Sequence, residues 1–201
     1  MPKRVDHEQR RREIADALLR VVGLHGLHGM SLREVAAEAG VSLRLVQYYF
    51  PTKERLLLFT ASYLEQHLAD QVTTRAKAAG PDAAPRAAIE ATLVATLPTD
   101  PDDRRFHLAD AAFAVLAMTD STIAAQVVLS GPDAREELLV SQLRAVLPPP
   151  ADARAEAIGL LAMSSGLGTS VLAGARSVEE ALNVLGHHLD RLFAGVPARV
   201  S

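Results

Sequence analysis

Arg44, Gln47 and Tyr48 fall within about one helical turn of each other. Together they offer a guanidinium, a primary amide and a phenol. These groups suit the edges of bases in a DNA major groove: arginine pairs with guanine, glutamine pairs with adenine, and an apolar neighbour such as Leu43 meets a thymine methyl.

Such chemistry needs a short helix held rigidly, and the stretch from Ser31 to Lys53 predicts one. Ser31 and Glu34 have the spacing of a capping box, in which each residue satisfies a backbone N–H of the other. Val35, Ala36 and Ala39 form the inner side of this helix. Gly40 stops it, because the residue after a helix end often takes a positive φ. Ser42 caps the next helix, in which Val46 and Phe50 turn to the core at i, i+4 spacing and Leu43, Arg44, Gln47 and Tyr48 turn outward. Thr52 is placed to cap a long fourth helix ending near Ala79, roughly 40 Å from end to end.

The remainder points to an all-α chain. Its 201 residues suffice for a substantial core, and they are rich in Ala and Leu with few aromatics. Alternating β-branched runs are nearly absent. The absence of cysteine excludes disulfides and thiolate zinc sites. No apolar run is read as reaching the roughly 20 residues that span a bilayer, and the N-terminus lacks an apolar signal stretch. The expectation is a cytoplasmic protein with no membrane partner. Net charge is −3, yet residues 1–55 carry 10 Lys+Arg against 7 Asp+Glu, and the rest carry 11 against 17. A basic head on an acidic body suits a protein that touches phosphate at one end.

A first helix is predicted from about His7 to Gly23, with Ile14, Leu18, Val21 and Val22 as its apolar stripe, and Gly26 and Gly29 mark the turn after it. In the body, prolines and glycines divide further helices at 84–97, 104–118, a short one between Asp120 or Ser121 and Gly131, then 134–147, 152–173 and 178–194. The last has an apolar seam of Val178, Leu182, Leu185, Leu189 and Leu192. The helix before it is read as containing Gly159, Gly166, Gly168 and Gly174; each interior glycine costs about 1 kcal/mol relative to alanine, which suggests close approach of another backbone.

From Arg10 to Leu58 the chain resembles the TetR family of bacterial transcriptional regulators. The resemblance rests on GLHGLHGMSLREVAAEAGVS followed by LVQYYFPTKERLL, placed near an N-terminus ahead of an Ala/Leu-rich helical remainder. It implies about nine helices: a three-helix DNA-binding head (1–53) with a helix-turn-helix, a long linking helix, and a ligand-binding and dimerisation body (54–201). It also implies a homodimer, a palindromic operator in double-stranded DNA, and release by a small-molecule effector. Ser31, Arg33, Ser42, Leu43, Arg44, Gln47, Tyr48, Tyr49 and Lys53 then occupy DNA-facing positions, with Lys3 and Arg4 in a tail on phosphates. Gly159, Gly166, Val178, Leu182, Leu185, Leu189 and Leu192 become the subunit interface. Phe59, Tyr63, His67, Phe106, His107, Phe113, Met118 and Met163 are the candidate pocket lining, a largely apolar set that suits an apolar or amphipathic effector. Two positions depart from the family pattern: Gln47, where tyrosine is common, and Arg55, where a glutamate usually completes the cap of the fourth helix.

The competing readings are weaker. His107 with Asp110, or His187 and His188 with Asp190, would make acid–base pairs, but no nucleophile motif accompanies them. Ser164-Ser165-Gly166 lacks the strand that precedes a nucleophile elbow. His25 with His28, or His187 with His188, falls short of three converging metal ligands. No catalytic residue, cofactor or metal is expected. A helical interaction protein and a small-molecule-responsive activator remain as alternatives to a repressor.

Overall fold

A computed structural model describes residues 2–27, 30–79, 85–100, 104–121, 124 and 134–194. Among them it forms nine helices and no strand: α1 (Pro2–His25), α2 (Leu32–Glu38), α3 (Leu43–Tyr49), α4 (Lys53–Ala79), α5 (Pro85–Val94), α6 (Arg104–Thr119), α7 (Ala134–Arg144), α8 (Ala153–Leu172) and α9 (Val178–Phe193). The all-α expectation holds. The predicted short helix after Asp120 falls mostly outside the described residues, as do His28 and Gly29. α1 starts earlier than predicted, at Pro2 rather than near His7, so Lys3 and Arg4 sit in its first turn and not in a tail.

The helices gather into two compact units. One takes α1, α2, α3, α4 as far as His67, and α6. Here α1 packs on both α2 and α6. Ile14, Ala15, Leu18 and Leu19 of α1 are fully buried, along with Val35, Val46 and Leu56. Removing a leucine or isoleucine side chain from water stabilises the fold by about 1.5–3 kcal/mol. Tyr63 of α4 donates its hydroxyl to Asp16 of α1 at 3.2 Å. Burial, then the Asp16 charge, pushes the Tyr63 phenol above its ordinary pKa.

The other unit holds the rest of α4 with α5, α7, α8 and α9. Its core runs through Ile89, Leu93, Leu97, Leu139, Leu143, Ala157, Leu160, Leu185 and Leu189. Arg154 on α8 pairs with Glu136 at 2.5 Å and with Glu137, both on α7. One glycine of α8 has the close backbone neighbour expected from sequence: a Cβ on Gly168 would sit 3.1 Å from the Thr96 carbonyl oxygen. Ser164 is fully buried four residues earlier, donating to the Leu93 carbonyl at 3.0 Å and sharing a 2.5 Å hydrogen bond with Thr96. The residues with a superficial nucleophile spacing are thus part of a helix-packing contact. α8 also corrects one expectation: it is long and apolar enough, by length and composition, to cross a membrane, although its Ala157, Leu160 and Leu167 side packs on this core.

Candidate nucleic-acid interface

Local hydrogen bonding explains why α2 and α3 can be so short. The Ser31 hydroxyl accepts from the Glu34 N–H at 3.3 Å, and the Glu34 carboxylate accepts from the Ser31 N–H at 2.8 Å. Those bonds to the Ser31 backbone and hydroxyl hold the Glu34 carboxyl below its ordinary pKa. At the other end the Gly40 N–H donates to Ala37 O at 3.1 Å and the Val41 N–H to Ala36 O at 3.0 Å, closing a Schellman motif. Gly40 takes φ +66°, where a Cβ would be strained. The chain turns there and Ser42 caps α3, its hydroxyl accepting from the Leu45 N–H at 3.2 Å.

α3 is anchored on one side and presents polar groups on the other. Val46 and Phe50 are buried; Arg44, Gln47 and Tyr48 are exposed, Tyr48 at 71%. Leu43 and Tyr49 are half-buried. Beneath the helix, the Arg11 guanidinium carbon lies 4.1 Å from the Phe59 ring centre and 5.3 Å from that of Phe50. This stack ties α1, the end of α3 and α4 together by cation–π attraction. Arg20 and Glu38 pair at 2.5 Å between α1 and α2.

Ser31, Arg33 and Ser42 are also exposed on this unit, and Lys53 is half-buried at the first position of α4. Thr52 accepts from the Arg55 N–H at 3.3 Å, as the cap of α4 requires. Arg55 leaves this cap without the usual carboxylate; Glu54, one residue earlier, is held below its ordinary pKa by hydrogen bonds with its own backbone N–H and the Thr52 hydroxyl. Sequence reasoning misses His7, whose ring centre lies 4.6 Å from that of Tyr49 and 6.3 Å from that of Tyr48.

The candidate interface residues separate into two groups. Leu185 and Leu189 are only 1% and 0% exposed, so they belong to their own chain's core and have no surface to give a second copy. Leu182 and Leu192 pack partly against the same core, and Val178 is half-buried. Gly159 and Gly166, by contrast, are exposed, and among the described residues no atom beyond their chain neighbours and their own helix backbone comes within 4 Å of where a Cβ would sit. They share the outer side of α8 with Ile158 and Ala162, and Val184, His187 and His188 are exposed on α9.

The pocket candidates separate too. Phe59, Tyr63 and His67 succeed one another along α4, and His67 stacks flat on Phe106 with ring centres 3.6 Å apart. Phe106, His107 and Phe113 are buried on α6. Met118 is 81% exposed, away from the buried side of α6, and is not enclosed by the described residues. Met163 belongs to the second unit and packs on that unit's core. Of the acid–base candidates, Asp190 pairs with Arg86 at 2.6 Å.

Known proteins share this architecture. The family described as bacterial regulatory proteins, tetR family, matches residues 14–58, and the BetI-type transcriptional repressor C-terminal family matches residues 85–194. The regulator BetI of Rhizobium meliloti (strain 1021) is 35% identical over 167 residues, 83% of this chain and 80% of its own. The structure of a transcriptional regulator from Rhodococcus sp. Rha1 is similar with a TM-score of 0.79 at 28% identity, covering 94% of this chain and 99% of that one. A regulator from Saccharomonospora viridis, crystallised with choline, shares the fold with a TM-score of 0.77 at 21% identity, covering 95% and 100%. The chain belongs to the TetR family of bacterial transcriptional regulators, with a C-terminal region of BetI type. It is a DNA-binding regulator of transcription and not an enzyme.

Proposed function

We propose that the chain is a cytoplasmic, homodimeric repressor that reads a palindromic operator through α3 and leaves it when a small amphipathic molecule binds. The observation that carries this reading is α3 itself: a helix capped by Ser42 and buried along Val46, with Arg44, Gln47 and Tyr48 displayed together on its outer side. Arg44 reads guanine and Gln47 adenine, while Leu43 meets a thymine methyl. Ser31, Arg33, Ser42, Tyr48, Tyr49 and Lys53 hold phosphates, as do Lys3 and Arg4 from the first turn of α1.

The DNA-binding part is residues 1–53 and the ligand-binding and dimerisation part residues 54–201. The two family matches, one ending at 58 and the other beginning at 85, support a division within α4. The outer sides of α8 and α9, with Gly159 and Gly166 open and Ile158 and Val184 exposed, are the surface for a second copy. Two reading helices about 34–36 Å apart then meet successive major grooves. The effector lies among Phe59, Tyr63, His67, Phe106, His107 and Phe113. Choline in the Saccharomonospora viridis regulator supports a small organic cation with an apolar body, which aromatic rings attract. A ligand that prefers one setting of α4 shifts the DNA-binding equilibrium by its differential affinity; one that binds both settings equally shifts nothing.

Footprinting on DNA flanking the protein's own gene, repeated with choline and longer-chain quaternary amines, tests this. Protection of a palindromic site that a quaternary amine relieves is expected. A protected site that no amine relieves contradicts the effector, and no protected site contradicts the operator.

A further inference from the structure

We infer that His7 is a DNA-backbone contact: an imidazole that holds a phosphate beside the reading helix. The inference rests on the reading of α3 given above and adds a residue to it.

His7 is an exposed residue near the start of α1, far along the chain from α3, yet its ring packs into the pair formed by Tyr48 and Tyr49. The two tyrosine rings meet edge-on at 5.1 Å, and His7 is tilted against Tyr49 with an interplanar angle of 57°. Three rings from two helices thus form one surface cluster, on the same unit and the same short helix as the exposed Arg44 and Gln47. Tyr48 and Tyr49 are phosphate-holding residues in that reading, and the imidazole stands against both. A buried histidine in such a cluster would be a packing group; an exposed one has its ring nitrogens at the surface, where they can donate to a phosphate oxygen.

From α3 the imidazole faces the two phenols. On α1 it stands between Asp6 and Glu8 in sequence; the Glu8 carboxylate lies 3.7 Å from Arg11 and 3.9 Å from Arg12, and Glu13 pairs with Arg10 at 2.6 Å. α2 meets α1 farther along, where Glu38 holds Arg20. The early start of α1 also puts Lys3 and Arg4 one helical turn before His7, at the same end of the helix.

The test measures affinity for a fragment carrying the footprinted operator and for an unrelated duplex of equal length, across a series of salt concentrations. His7→Ala is expected to weaken both duplexes by the same factor, about tenfold. His7→Arg restores the affinity. Both variants keep the wild-type melting temperature, since the side chain is exposed. Wild-type affinity in His7→Ala at every salt concentration overturns the inference alone, as does failure of His7→Arg to rescue. Absence of any duplex binding by the wild type overturns this inference and the α3 reading together.

Discussion

α2 and α9 begin alike and end in different trades. Each opens on a Ser-x-x-Glu capping box, Ser31 with Glu34 and Ser177 with Glu180, in which serine and glutamate satisfy each other's backbone. α2 then stops after 7 residues at Gly40 and hands the chain to a second 7-residue helix with a polar outer side. α9 continues for 16 residues, packs Ala181, Leu185 and Leu189 inward, and leaves Val184, His187 and His188 exposed. The cap decides where a helix starts; the residues after the cap decide whether the helix meets a ligand or builds a core. Short helices braced at both ends suit precise polar contacts, and long helices with small or apolar outer residues suit another protein surface.

Leu185 is where this contrast can be broken most visibly. Leu185→Ala should cost about 2–5 kcal/mol in urea denaturation, with no dependence on protein concentration, because Leu185 is core in its own chain. If the loss instead shrank on raising the concentration, the seam would be intermolecular after all. Gly40→Ala comes next. Its φ of +66° makes the substitution cost about 1–2 kcal/mol, and operator affinity should fall with it; an unchanged melting temperature would mean that the turn relaxes.

Gly159→Ala sharpens the same contrast with a smaller effect of opposite sign. Among the described residues nothing beyond its chain neighbours and own helix backbone lies within 4 Å of the added Cβ, so the helix itself should gain about 1 kcal/mol. Sedimentation equilibrium should nevertheless show weaker self-association, and unchanged association would move the interface off α8.

The smallest effect is in acid. The Ser31 and Ser177 hydrogen bonds hold Glu34 and Glu180 below the ordinary value of 4.5. A depressed folded-state pKa means that their contribution is complete above the unfolded-state value and is lost as pH falls through the folded one. Helicity measured by circular dichroism from pH 5 to 3 should therefore decline more steeply in the wild type than in a Glu34→Gln, Glu180→Gln variant. Superimposable curves would show that the boxes do not matter to either helix.

Much of this is legible in the sequence where the physics is local. Ser31 with Glu34, Ser42, Thr52 and the positive φ at Gly40 depend on neighbours within five residues, and all stand where spacing puts them. Direction and distance are harder to read. The period of Val178, Leu182, Leu185, Leu189 and Leu192 shows an apolar stripe without saying whether it faces its own core or another molecule. The charged run before Ile14 carries no apolar period, so it hides the first turns of α1, and with them the meeting of His7 and Tyr49.

Arg44 offers the most direct test of the central claim. In a fluorescence-anisotropy titration on the footprinted operator, Arg44→Ala should lose about 1–3 kcal/mol of affinity and discriminate less at one base pair. Lys53→Ala, measured beside it, should weaken all duplexes alike. Operator affinity and base preference unchanged in Arg44→Ala would show that α3 does not read DNA through the side on which Arg44 stands.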